Sequence, residues 1–257
     1  VGIKKIKRAK MNIYISTCDK TLYTIDVFQY FFNKYWDSSQ QVTVLGYKTP
    51  HFDLLSNFNF VSLGEDRGPH YFSSDLLNYL NNSNEKYLIH AWDDAPVINK
   101  VDIKKIVAMK NFMKENESFK KACLTPDLVS REYISVNSDF AKVAPNAGYK
   151  LATTWQMWDV DYFKKYLALN YSPWDFEIKA SKQSNDDGFE VFGYKEKCPV
   201  NTCNLVRGGK GGTTFIRKSF YMNLGDYPGY PHMKNEDRNM CLKLFRKHNK
   251  KVSHFDR

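Results

Sequence analysis

Two adjacent carboxylates, Asp93 and Asp94, follow directly on the apolar run EKYLIHAW (85–92) and precede Ala95 and Pro96. Acids are poor strand residues and neighbouring acids repel, so the pair asks for a positive partner. Carboxylates at such a place can hold Mg²⁺ or Mn²⁺, hard cations that take oxygen ligands and also grip phosphates. A cation held there neutralises a diphosphate leaving group. The plainer account is a solvated turn ended by Pro96. A second group lies in GEDRGPHYFSSD (64–75), where Arg67 can offer a bidentate fork to phosphate or carboxylate. Asp75 falls in a first helical turn, where acids are favoured anyway.

A third group is SPWDFE (172–177). Ser172 reads as an N-cap and Pro173 as N1, which puts Asp175 at N3 in a variant capping box. Asp175 therefore has a structural reason to be there. Glu177 has none, and two positions on it leaves a different side of the helix. An acid beside Trp174 and Phe176 suits a general base taking a proton from a sugar hydroxyl. Glu177 is the preferred base and Asp175 its rival. TTWQMW (153–158) carries Trp155 and Trp158 on what reads as a strand; indole faces stack on sugar rings or fill a core equally well. The Gly-rich, basic RGGKGG (207–212) does not match a phosphate-loop pattern. His232 and His254 are spare metal-ligand candidates.

These groups need a frame. MNIYIST (11–17), QVTVLGY (41–47), FNFVSLG (58–64) and EKYLIHAW read as strands. Between and after them come helical periods: Leu22, Ile25, Phe28, Phe32 and Tyr35; then 73–82, capped by its serines; then 101–116, with Ile103, Ile106, Val107, Lys110 and Met113 on one stripe. Short βα units predict an α/β chain with a mostly parallel sheet covered on both faces. Ligands in such sheets bind beyond the carboxyl ends of the strands, where Asp93 and Asp94 fall. The second half is less regular: a strand at 151–158, a helix at 159–169 capped by Asp159, a helix start at 172–181, a strand at 189–196 and a last helix at 236–249. One compact domain over 1–257 is predicted, with 11–116 as its βα half and 117–257 as the irregular half.

The 257 residues carry a net charge of +10, concentrated at residues 1–10 and 207–257, around a mildly acidic middle. That distribution disfavours a nucleic-acid binder and offers anionic ligands or a membrane surface a peripheral contact at the basic ends. Five scattered cysteines argue against a disulfide framework and point to a reducing, cytoplasmic setting. Cys198 and Cys203 are too loosely spaced and too isolated for zinc. No apolar stretch approaches the 18 residues of a membrane helix, and VGIKKIKRAK lacks the apolar core of a signal peptide.

Taken in order, ISTCDK, FFNKYW, VTVLGY, FVSLGEDRG, SSDLL, YLIHAWDDAPV, TTWQMWDVDYFKKYL and SPWDFEI resemble small GT-A-type glycosyltransferases of bacteria and large DNA viruses or phages, over residues 11–195. The resemblance implies a Rossmann-like GT-A domain whose first half binds a nucleotide-diphosphate sugar. Asp19, Arg67, Asp75 and Asp93 would then lie at the donor, and Asp94 with Asp93 would hold Mn²⁺ or Mg²⁺. Trp155, Trp158 and Trp174 would meet a glycan or lipid-linked acceptor, and Glu177 or Asp175 would serve as base in an inverting displacement. The acidic motif of that fold is often Asp-x-Asp; here it is Asp-Asp-Ala. A sugar-phosphate nucleotidyltransferase is the alternative enzyme, although ISTCDKTLYT lacks the Gly-rich loop it would need. A basic carbohydrate- or nucleic-acid-binding module is the non-enzymatic alternative.

Overall fold

A computed structural model describes residues 11–126, 128, 132–206, 214–216, 233–250 and 252–255. Its core is a nine-stranded sheet of order β3-β2-β1-β4-β8-β5-β9-β7-β6. The strands are β1 (Ile13–Ser16), β2 (Val42–Gly46), β3 (Phe58–Ser62), β4 (Tyr87–Trp92), β5 (Phe119–Cys123), β6 (Tyr133–Ser135), β7 (Phe140–Val143), β8 (Gln156–Asp159) and β9 (Glu190–Tyr194). β10 (Thr214–Ile216) and β11 (Val252–Phe255) form a separate parallel pair.

The sheet is mixed, which corrects the expectation of a mostly parallel one. β1 to β4 run parallel to one another. β8 then enters antiparallel between β4 and β5, and β7 pairs antiparallel with β9 and β6. The sequence reading missed β5, β6 and β7. FKKAC carries two lysines in five residues, and β6 is exposed throughout, so neither shows the alternation of a half-buried strand.

Helices cover both faces. On one side lie α1 (Thr24–Tyr35), α3 (Ile103–Glu115) and α7 (Asn235–Lys247), which contribute Phe28, Phe31, Phe32, Ile106, Met109, Met113, Cys241 and Phe245 to one apolar cluster. Phe28, Phe31 and Phe32 are fully buried; each stabilises the fold by roughly 1.5–3 kcal/mol. On the other side lie α2 (Phe72–Asn81), α4 (Val160–Leu167) and a continuous helical run made of α5 (Pro173–Asp175), a π-helical turn (Phe176–Ala180) and α6 (Ser181–Gln183). β1 shows why both layers are needed: Ile13 and Ile15 enter the first cluster while Tyr14 enters the second.

Local signals behave as expected at several ends. Asp159 accepts from the Tyr162 amide and caps α4. Ser172 accepts from the Asp175 amide, with Pro173 at N1. Glu236 and Asp237 open α7 and Arg246 and Lys247 close it. The serines of α2 do not cap it: Ser73 donates instead to the Tyr171 carbonyl and Ser74 to the Tyr71 carbonyl. That first bond ties the start of α2 to the approach of α5.

Candidate active site

Because β1, β2, β3 and β4 are parallel, their carboxyl ends, Ser16, Gly46, Ser62 and Trp92, share one edge of the sheet. β8 runs the other way, with Gln156 opposite His90, so the residues just before β8 come to that same edge. This antiparallel insertion brings residues 153–155 beside Asp93 and Asp94.

The expected strand at 151–158 is therefore half a strand: 151–155 is a bend. Trp155 has a φ of 52°, the left-handed region that a bulky residue enters at a cost of about 1–2 kcal/mol. What holds it there is burial. The indole is fully enclosed, lies 5.7 Å from Phe28 and 5.4 Å from Trp36 in stacked arrangements, and donates through Nε1 to the Ala95 carbonyl at 2.6 Å. Trp158 is equally buried, 4.4 Å from Phe163 in a stacked pair. Neither ring presents a face to an acceptor, which corrects the expectation for both. Trp174 differs: at 61% exposure it stands out from the first turn of α5.

The bend carries Thr153, the hub of the site. Its amide and its hydroxyl both donate to Oε1 of Glu177, at 2.9 and 2.7 Å. Its hydroxyl accepts from Trp92 Nε1 at 2.9 Å. Its carbonyl lies 3.0 Å from Nδ1 of His90, whose Nε2 lies 2.8 Å from the Ser16 hydroxyl. A carbonyl can only accept, so Nδ1 carries the proton and Nε2 accepts from Ser16. Complete burial drives the His90 pKa down to about 4 and keeps the ring neutral.

Glu177 sits in the π-helical turn, a distortion common at functional sites. Ser181 holds the run against the bend, donating to the Glu177 carbonyl and accepting from the Leu151 amide. Asp94 is half-buried, and its backbone carbonyl accepts from Leu205. Its pKa is raised, first by burial, then by the charges of Asp93 and Glu177. Through Thr153 and Trp92, Glu177 is tied to the end of the strand that leads into Asp94, 83 positions away in sequence.

Asp93 turns inward. Its carboxylate accepts from the Thr17 hydroxyl at 2.5 Å, and only 3% of the residue is exposed. Burial raises its pKa against the threonine hydroxyls around it. It fastens the loop after β1 to the end of β4, rather than standing beside Asp94 as a ligand. Gly46 keeps this corner open, since a Cβ there would meet Thr17 Cγ2 at 2.7 Å and Phe60 Cε2 at 2.9 Å.

Arg67 pairs with the buried Asp75 at 2.5 Å, and its guanidinium lies 4.0 Å from the centre of the Tyr71 ring. Tyr47 also donates to Asp75. Asp75 therefore orients Arg67, whose side chain stays 46% exposed. Asp19, in the loop after β1, accepts from the Lys48 amide and donates its own amide to Asp66. Asp175 pairs with Lys179 and Ser172, which lower its pKa; a carboxylate held in its charged form is a weaker base than one that is not. His232 and RGGKGG lie outside the described residues, as does the side chain of His254.

Among the described residues, no group of three or more His, Cys, Asp or Glu side chains gathers for a metal ion, and the five cysteines are free thiols. The donor set nevertheless fits a divalent cation of the kind held by one or two carboxylates and substrate phosphates. Asp94 is half-buried among negative charge that a cation would offset. No helix of the described residues is long and apolar enough to cross a membrane.

Thr153, Trp92, His90, Ser16 and Thr17 were missed by the sequence reading. One signal was present, a histidine inside an otherwise apolar strand. The threonines and the serine carry none, because their roles depend on where the chain turns.

No family model matches the chain, and no curated protein sequence matches it. Several solved structures show a distant likeness in shape. A CMP:2-keto-3-deoxy-manno-octonic acid synthetase complexed with CTP is 13% identical over 72% of this chain and 89% of that one, at a TM-score of 0.43. TarS of S. aureus, residues 1–349, is 12% identical over 75% of this chain and 60% of that one, at 0.47. The galactosyltransferase LgtC, in complex with donor and acceptor sugar analogs, is 10% identical over 70% and 72%, at 0.40. These likenesses are of architecture alone.

Proposed function

We propose that this chain is a glycosyltransferase, moving a sugar from a nucleotide-diphosphate sugar to a hydroxyl on a glycan or lipid-linked acceptor, with inversion, in the synthesis of a surface polysaccharide or glycoprotein glycan. The observation that supports the reading is that Glu177 is fixed by Thr153, which Trp92 ties to the strand end leading into Asp94. One carboxylate lies where a diphosphate is drawn in; the other is oriented to take a proton.

In this reading residues 11–116 form the donor side and 117–257 the acceptor side of a single domain. Arg67, held by Asp75 and backed by Tyr71, meets the diphosphate, and Asp19 lies at the same edge. Trp174 offers the acceptor an exposed indole face. Glu177 removes the hydroxyl proton as the acceptor oxygen attacks the anomeric carbon, the bond to the diphosphate breaks, and the nucleoside diphosphate leaves. Asp94 is the residue that would hold Mn²⁺ or Mg²⁺, which when bound would offset the leaving group's charge. Positioning and charge placement supply the remainder.

The test is a panel of UDP- and GDP-sugars with and without Mn²⁺, read as released nucleoside diphosphate. Release by the wild type and its loss in Glu177→Gln are expected. Pyrophosphate released instead, from a nucleoside triphosphate and a sugar phosphate, overturns transfer in favour of nucleotidylation.

A further inference from the structure

The carboxylate of Glu177 is not held by its own helical run alone. Two donors to Oε1 belong to Thr153, a fully buried residue in the turn just before β8. Thr153 is itself fixed from two directions. Trp92, the last residue of β4 and the one before Asp93, donates to its hydroxyl. His90, two residues earlier on β4, donates to its carbonyl and is steadied by Ser16 at the end of β1. The hydroxyl of Thr153 accepts from Trp92 and donates to Glu177, so its single proton has one direction to point. The neutral state of His90 fixes the other end of the chain.

We infer that Thr153 is the positioning residue for Glu177, with Trp92 setting the direction of its hydroxyl, so that the strand leading into Asp94 also dictates the orientation of the base. The inference rests on the reading of Glu177 as base and adds a residue to it. Thr153 touches no reacting atom; it acts through Glu177. The two hydrogen bonds leave the carboxylate's position set by the sheet edge rather than by the more exposed helical run.

The experiment compares Thr153→Val, Thr153→Ser, Trp92→Phe and Glu177→Gln in the nucleoside diphosphate assay, each checked by thermal unfolding. Valine keeps the shape and the amide but loses the hydroxyl. Thr153→Val is expected to lower kcat about tenfold or more with the donor KM within about threefold, since it loses a hydrogen bond to a charged group. Thr153→Ser should restore most of the loss. Trp92→Phe, which frees the hydroxyl to rotate, should give a smaller fall in kcat, and it carries the test if Thr153→Val does not fold. Wild-type kcat in Thr153→Val alongside an inactive Glu177→Gln overturns this inference alone. A loss that serine does not rescue, or that falls equally on kcat, KM and melting temperature, also overturns it. An active Glu177→Gln overturns the functional reading beneath it.

If no donor in the panel turns over, hydrogen exchange on the free protein decides. The Trp92 indole N–H should be protected in the wild type and in Thr153→Ser and exchange faster in Thr153→Val. Equal protection in all three overturns the network.

Discussion

The indole of Trp155 donates to the carbonyl of Ala95, the residue after Asp94, across 60 positions of sequence. The two sides of the site are thereby bolted together next to Asp94 and next to Thr153. Trp155→Phe keeps most of the stack on Phe28 and Trp36 but leaves the buried carbonyl without that donor. A loss of about 1–3 kcal/mol is expected, measured by urea denaturation. A phenylalanine variant as stable as the wild type would remove the bolt from the account.

Asp94 carries a charge that the fold disfavours. Its folded pKa lies above its unfolded one, so the stabilising contribution of its neutral form is present at low pH and is lost as pH rises through the folded value. Asp94→Asn should accordingly stabilise the protein at pH 7 by about 1 kcal/mol, roughly 2–4 °C in Tm, with the gap closing on acidification. Transfer should fall at the same time, the expected trade when a strained charge belongs to a site. Differential scanning at pH 5 and pH 7 checks the first part, and the assay above the second.

His90 should produce the opposite slope. Its folded pKa, near 4, lies below the unfolded value, so the unfolded chain takes up a proton first as pH falls from about 6.5. Stability is then lost across that window, by up to about 3 kcal/mol, and the loss levels off below pH 4. Asp93 and Asp94 push the other way, so the clean measurement is the difference between wild type and His90→Gln. That advantage of the wild type should shrink steadily between pH 7 and pH 4.5.

The tryptophans separate by burial. Trp158→Ala should cost about 3–5 kcal/mol, as a large buried ring leaves a cavity. Trp174→Ala should leave stability within about 0.5 kcal/mol and raise the acceptor KM. An unchanged acceptor KM would take Trp174 out of the acceptor site.

Four parallel strands, the helices beside them and the capping residues Asp159 and Ser172 were legible in the sequence. They depend on period and on neighbours within a turn, such as the Phe28–Phe32 stripe or Ser172 with Asp175. The placement of Asp93 and Asp94 at the carboxyl edge followed from the same local reasoning. The mixed sheet, the inward turn of Asp93, the burial of Trp155 and Trp158, and Thr153 as the hold on Glu177 were decided by tertiary structure. An inserted antiparallel β8 carries no mark in its own residues, because strand direction is set by what lies on either side. The Thr153 hydroxyl acquires its role only when Glu177, 24 positions on, and Trp92, 61 positions back, arrive beside it, and no spacing within the chain encodes that meeting.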